Sequence, residues 1–102
     1  MQFLQLLDHL YATREAVERL MASQGVPEDL TGEDLVVRCH FLRLGGPSFA
    51  DELVRQAIRL RGARSVILVG APRKFVALVR TSAARRGVED RITEGLWAEL
   101  IA

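Results

Sequence analysis

Apolar positions along this chain change period several times, and each change marks an element. QFLQLL, residues 2–7, is a short apolar-rich run and predicts a strand. In TREAVERLMASQG, Ala16, Val17, Leu20 and Met21 recur at helical spacing. Thr13 is placed as the N-cap and Glu15 suits the positive end of the helix dipole. Gly25 is the stop, with Pro27 beyond it. VPEDLTGED, residues 26–34, is polar and turn-rich and predicts a mobile loop. LVVRCHFLRL, residues 35–44, alternates and is β-branched, as a strand does.

The second half repeats the alternation. SFADELVRQAIRLRG places Phe49, Leu53, Val54, Ala57 and Ile58 on one face and Asp51, Glu52, Arg55 and Arg59 on the other, with Gly62 as the stop. SVILVGA, residues 65–71, is apolar throughout, the pattern of a strand covered on both faces. Pro72 suits the first position of a helix whose inward stripe is Phe75, Leu78, Val79, Ser82 and Ala83. That helix closes on Arg85, Arg86 and Gly87. The tail, 93–102, has two readings. Thr93 caps a short helix using Leu96, Trp97, Leu100 and Ile101, or the same residues form an extended edge strand; the helix is favoured. The order is β-α-β-α-β-α with short connections. It predicts a single α/β domain over residues 1–102, with a core over 13–92 and a central sheet covered by helices. Parallel strands joined by right-handed crossovers are the expected geometry.

Composition narrows the class. A chain of 102 residues suits one domain and buries roughly two thirds of its unfolded surface, so neither metal nor disulfide is needed to fold it. The lone cysteine, Cys39, excludes an internal disulfide and fits a reducing cytoplasm. No apolar run reaches the length of a membrane span, and the first residues lack the basic start of a signal peptide. Charge is uneven. Residues 1–34 carry two basic and seven acidic side chains, and the remainder twelve basic and six acidic. The reading adopted is a solvated surface whose two halves compensate each other. Nucleic-acid binding through Arg61, Arg64, Arg80, Arg85 and Arg86 is the rival, and a net charge of +1 argues against it.

Candidate chemistry concentrates in GGPSFADEL, residues 45–53. A phosphate-binding loop requires a lysine after its glycines, and the only lysine is Lys74. GGPSFA does not make a dinucleotide fingerprint either. Gly45 and Gly46 are expected to form a tight turn with positive φ. A serine nucleophile at Ser48 would need a base, and nothing along the chain places His9 or His40 beside it. Cys39 and the two histidines lack metal-ligand spacing. No catalyst, metal or cofactor is therefore read. Locally, Ser48 caps the helix and Asp51, three residues on, completes a capping box worth about 1 kcal/mol. A phosphate added at Ser48 would also meet free backbone N–H groups at the positive end of the dipole.

TREAVERL, PSFADELVRQA, SVILVGAPRKF and ARRGVEDRI together resemble a bacterial STAS-like family of unassigned function, related to the anti-sigma factor antagonists. The resemblance covers residues 13–92, and SFADEL is its most specific piece. It implies an α/β protein-interaction module that is regulatory and not enzymatic. The partner it implies is an ATPase or serine kinase of the anti-sigma type, with the histidine-kinase-type ATPase fold. Ser48 is then the residue phosphorylated, and Gly46, Pro47, Phe49, Asp51 and Glu52 shape the contact. Two positions depart from the pattern. Pro47 stands where the antagonists place an aspartate, and Arg38 where the STAS-like branch places an acid.

A second function of another class remains open. It is a module for a small anion or nucleotide, using the strand-to-helix turns at 45–48 and 70–74, with Gly70, Arg73 and Lys74 at the anion. The apolar tail around Trp97 docks on the domain itself or on a second copy, as a homodimer would.

Overall fold

SVILV is the middle of the molecule, and its neighbours follow from being apolar on both sides. The computed structural model describes residues 1–101. In it β1 (Gln2–Gln5), β3 (Asp34–Arg38), β5 (Ser65–Val69) and β6 (Ile92–Gly95) form one parallel sheet in the order β1-β3-β5-β6. Helices α1 (Arg14–Ser23), α2 (Pro47–Val54) and α3 (Arg73–Arg85) make the three crossovers. Because strand order follows chain order, right-handed crossovers put all three helices on one face. On that face Leu4, Val37, Leu68 and Glu94 stand in one cross-strand row, and Leu35, Val66 and Ile92 in the next. The apolar members of these rows join Val17, Met21, Phe49, Leu53, Phe75 and Val79 in one core.

The parallel α/β order expected from the sequence is present, with helix stops at Gly25, Gly62 and Gly87. Several details differ. A fourth parallel strand, β6, takes Ile92–Gly95, so Thr93 lies in a strand and caps nothing. The helix favoured for the tail follows it as α4 (Trp97–Leu100). Pro72 stands one residue before α3 as its cap position. The strand expected over 35–44 leaves the sheet after Arg38. Residues 44–45 then pair in parallel as β4 (Leu44–Gly45) with β2 (Leu10–Tyr11), a two-stranded sheet of its own. The α2 helix continues through Arg55–Leu60 in π-helical form.

The loop expected to be mobile, 26–34, is pinned. Leu30 is buried and its N–H donates to Arg61 C=O at 2.7 Å, Thr31 bridges Ala63, and Arg61 donates to the carbonyls of Val26 and Pro27 at 3.2 and 3.0 Å. The exposed edge of β1 is also covered at its last residue, Gln5. The side chain of Gln24 accepts from Gln5 N–H at 2.8 Å and donates to Gln5 C=O at 2.7 Å, standing in for a neighbouring strand.

Candidate functional site

In a parallel sheet the loops leaving the carboxyl ends of the strands share one edge, and the helix N-termini open there. Both turns picked out from the sequence, 45–48 and 70–74, lie on that edge. They also touch through their neighbours: a Cβ on Gly45 would stand 2.7 Å from Phe75 Cε1, so the start of α2 packs against the first turn of α3. The glycine is required by that close approach. The positive φ expected at the pair is not found, and Gly46 has φ −80°.

Ser48 does not cap α2. The cap position is Gly46, Pro47 opens the helix, and the first helical N–H bond runs from Ala50 to Gly46 C=O at 3.0 Å. Pro47 has no N–H, so the amides of Ser48 and Phe49 are the ones the helix leaves without an internal partner. Pro47 and Ser48 are exposed. The expected capping box is absent because Asp51 points elsewhere. Its carboxylate accepts from Arg86 Nη2 at 2.9 Å and Nε at 3.1 Å, from Arg14 Nη1 at 2.7 Å and from Ser82 Oγ at 2.5 Å. These bonds, led by Arg86, hold the Asp51 carboxyl well below the usual carboxylate range. Asp51 thus joins α1, α2 and α3.

Two more residues of the motif turn inward. Phe49 is 0% exposed, stacked on Tyr11 at 4.8 Å and tilted against Phe75 at 6.1 Å. It fixes the start of α2 to β2 and α3 and offers no side chain to a partner. Glu52, expected on the polar face, is 7% exposed and accepts from Arg55 at 2.7 Å, Gln56 at 2.8 Å and Arg14 at 3.4 Å. Of the residues assigned to a partner contact, Gly46, Pro47 and Ser48 remain at the surface, while Phe49, Asp51 and Glu52 hold the fold together.

What the sequence did not reveal is the lip beside them. Leu10 and Leu44, directly opposite each other in the β2–β4 pair, are each 58% exposed. Leu7 and Phe41, in the adjoining loops, are exposed as well. Tyr11 Oη accepts from the N–H groups of Leu7 and Asp8 at 3.2 Å, and His9 Nδ1 lies 2.7 Å from Phe41 C=O. The loops are therefore tied down while their large apolar side chains face solvent. Two-residue strands are too short for any periodicity to announce them.

The other candidates acquire local reasons. Gly70 has φ +69°, and a Cβ there would stand 2.6 Å from His40 Cδ2. Arg73 is ion-paired with Glu94, which Arg80 also approaches at 3.8 Å. Lys74 is exposed and forms no ion pair among the described residues. His40, expected half-buried in a strand, is exposed beyond the end of β3. Its Nδ1 accepts from Arg38 Nε at 3.1 Å. Neither histidine hydrogen-bonds to Ser48. Cys39 is buried, and burial pushes its thiol up to about 12. Among the described residues no group of three or more His, Cys, Asp and Glu side chains is arranged to hold a metal ion, and no helix is long and apolar enough to cross a membrane. Comparison of the chain with family models, with curated proteins and with solved structures finds no match.

Proposed function

We propose that this chain is a non-enzymatic, STAS-like regulatory module that docks a protein partner on the lip formed by β2, β4 and the start of α2. Phosphorylation at Ser48 switches the contact. The observation that carries the proposal is four large apolar side chains, Leu7, Leu10, Phe41 and Leu44, left exposed on well-tied loops beside an exposed serine in the first turn of a helix. Apolar groups held rigidly in water are a feature of docking surfaces. Ser48 serves as the switch. An ATPase of the anti-sigma type transfers the terminal phosphoryl group of ATP to Ser48 Oγ, with loss of the hydroxyl proton and release of ADP. Nearly two negative charges then sit at the free amides of Ser48 and Phe49, at the positive end of α2 and beside the apolar contact. The free amides tolerate the phosphate, and the apolar partner does not.

The test is to mix the chain with ATPases of that type, with and without ATP. Complex formation is followed by gel filtration and the Ser48 peptide by mass spectrometry. A complex that ATP dissolves, with one phosphoryl group on Ser48, is expected; no complex and no phosphoryl group would remove the proposal. Phe41→Ser and Ser48→Asp should each weaken the complex about tenfold, or 1.4 kcal/mol. The anion-binding alternative at 45–48 and 70–74 has less in its favour. Arg73 is already neutralised by Glu94, which leaves Lys74 as the single free cation named for it.

A further inference from the structure

We propose that the groove between β2 and α1 captures an extended peptide segment, which adds to β2 as a third strand of the small sheet. The backbone sets the direction. His9 C=O accepts from Leu44 N–H at 3.0 Å, and Tyr11 C=O accepts from Gly46 N–H at 2.8 Å. Backbone groups of successive strand residues point to alternate sides, so Leu10, between the two, turns its own N–H and C=O away from β4. Leu10 is also one of the residues lining a groove of about 560 Å³. Leu10 of β2 and Ala12 just after it lie on one wall, and Ala16 and Leu20 of α1 on the other. An unpaired strand edge over an apolar trough is the geometry of strand addition: the main chain gives affinity and alternate side chains give selectivity.

The charges specify the occupant. Asp8, in the loop before β2, and Arg19 of α1 both line the groove, and neither is ion-paired among the described residues. The fitting partner is a short extended segment with an apolar centre and one basic and one acidic residue flanking it. This inference rests on the lip as a docking surface and adds how the partner is held there.

The test uses the capped pentapeptide Lys-Val-Leu-Val-Glu, its neutral analogue Gln-Val-Leu-Val-Gln, and two N-methylated forms of the first, one methylated at the leucine and one at the valines. Titration into labelled protein is followed by amide NMR. The charged peptide should bind with a Kd of about 1 mM or tighter. Shifts should concentrate on Leu10, Ala12, Ala16 and Leu20, and the Leu10 amide should become protected from exchange. Only the N-methylated form whose methyl groups face Leu10 should lose affinity, about tenfold. Leu10→Pro removes the outward N–H without touching the bonds to β4 and should cost a similar factor. Should that variant fail to fold, exposed Arg19→Glu should weaken the charged peptide and not the neutral one. No binding, equal binding of the two N-methylated forms, or indifference to Arg19→Glu would overturn the inference. Shifts confined to Phe41, Leu44 and Ser48 would also overturn it while leaving the docking lip in place.

Discussion

Asp51 is where three helices meet, and its energetics follow from its partners. Its carboxylate is mostly shielded and receives four bonds, three of them from guanidinium groups. Hydrogen bonds to charged groups contribute roughly 1.5–3 kcal/mol each in favourable settings. Asp51→Asn keeps the shape and removes the charge, so it should lower unfolding stability by about 2 kcal/mol, measured by urea titration at neutral pH. Ser48→Ala, three residues away, should change stability by less than about 0.5 kcal/mol, because this hydroxyl caps nothing. A loss near 1 kcal/mol would restore the capping role. Asp34 is a second anchor. Arg64 and Ser65 hydrogen-bond to it and hold its carboxyl at about 2. A folded value below the unfolded one stabilises the ionised form. The contribution is therefore complete above the unfolded value near 3.9 and is lost as pH falls through about 2. Between roughly pH 5 and pH 2 the urea midpoint of the native chain should fall more steeply than that of Asp34→Asn. Parallel curves would exclude Asp34 as a source of the acid sensitivity.

At the scale of elements, the start of α2 is set by an aromatic column, Tyr11–Phe49–Phe75, and by the glycine that lets Phe75 approach. Gly45→Ala should cost about 2 kcal/mol through overpacking, since the new methyl meets a ring held in the core. Gly45→Ala combined with Phe75→Leu should cost less than the sum of the two, which a double-mutant cycle in urea would read. The same column shows what the sequence could and could not disclose. The apolar stripe of α2 was legible because its spacing repeats over Phe49, Leu53, Val54, Ala57 and Ile58, and every one of them is buried. The run of β5 was legible because it is apolar without interruption between turn residues, and Val66, Leu68 and Val69 are buried in it. Asp51 and Glu52 were placed on the polar face because helical spacing sees only neighbours. The partners that draw Asp51 in, Arg14, Ser82 and Arg86, lie at least 30 residues away in sequence, while Glu52 has local partners in Arg55 and Gln56 and a distant one in Arg14. The end of β3 was set too late because Phe41, Leu42 and Leu44 continue the apolar pattern while the backbone has already turned out of the sheet. Of the site itself, the exposed start of α2 was visible in Gly46, Pro47 and Ser48. The lip beside it depends on a pairing between residues 10–11 and 44–45 that no local pattern encodes.

For the whole molecule, winding the chain in one direction has a consequence. All three long helices cover one face, yet all-parallel sheets are generally covered on both. The second face carries the rows Phe3–Val36–Ile67–Thr93 and Gln5–Arg38–Val69–Gly95. Val36 and Val69 are buried there, outside the main core. The tail supplies the cover. Trp97 packs edge-to-face on Phe3 at 5.8 Å and lies under the Arg38 guanidinium at 4.5 Å, and a Cβ on Gly95 would stand 3.3 Å from Leu100 Cδ1. Arg38 thus serves on this face as a cation over an indole. Replacing it with glutamine should cost about 0.5–1 kcal/mol. Ending the chain after Gly95 should cost more, about 2–3 kcal/mol, since a half-buried tryptophan and a leucine leave the sheet together. It should also uncover an apolar strip wide enough to drive self-association. Sedimentation of the shortened chain should then show a concentration-dependent dimer that Phe3→Ser abolishes. A shortened chain that stays monomeric at full stability would mean that the sheet covers its second face without α4. If dimers form and Phe3→Ser leaves them intact, they join through the β2–β4 lip instead.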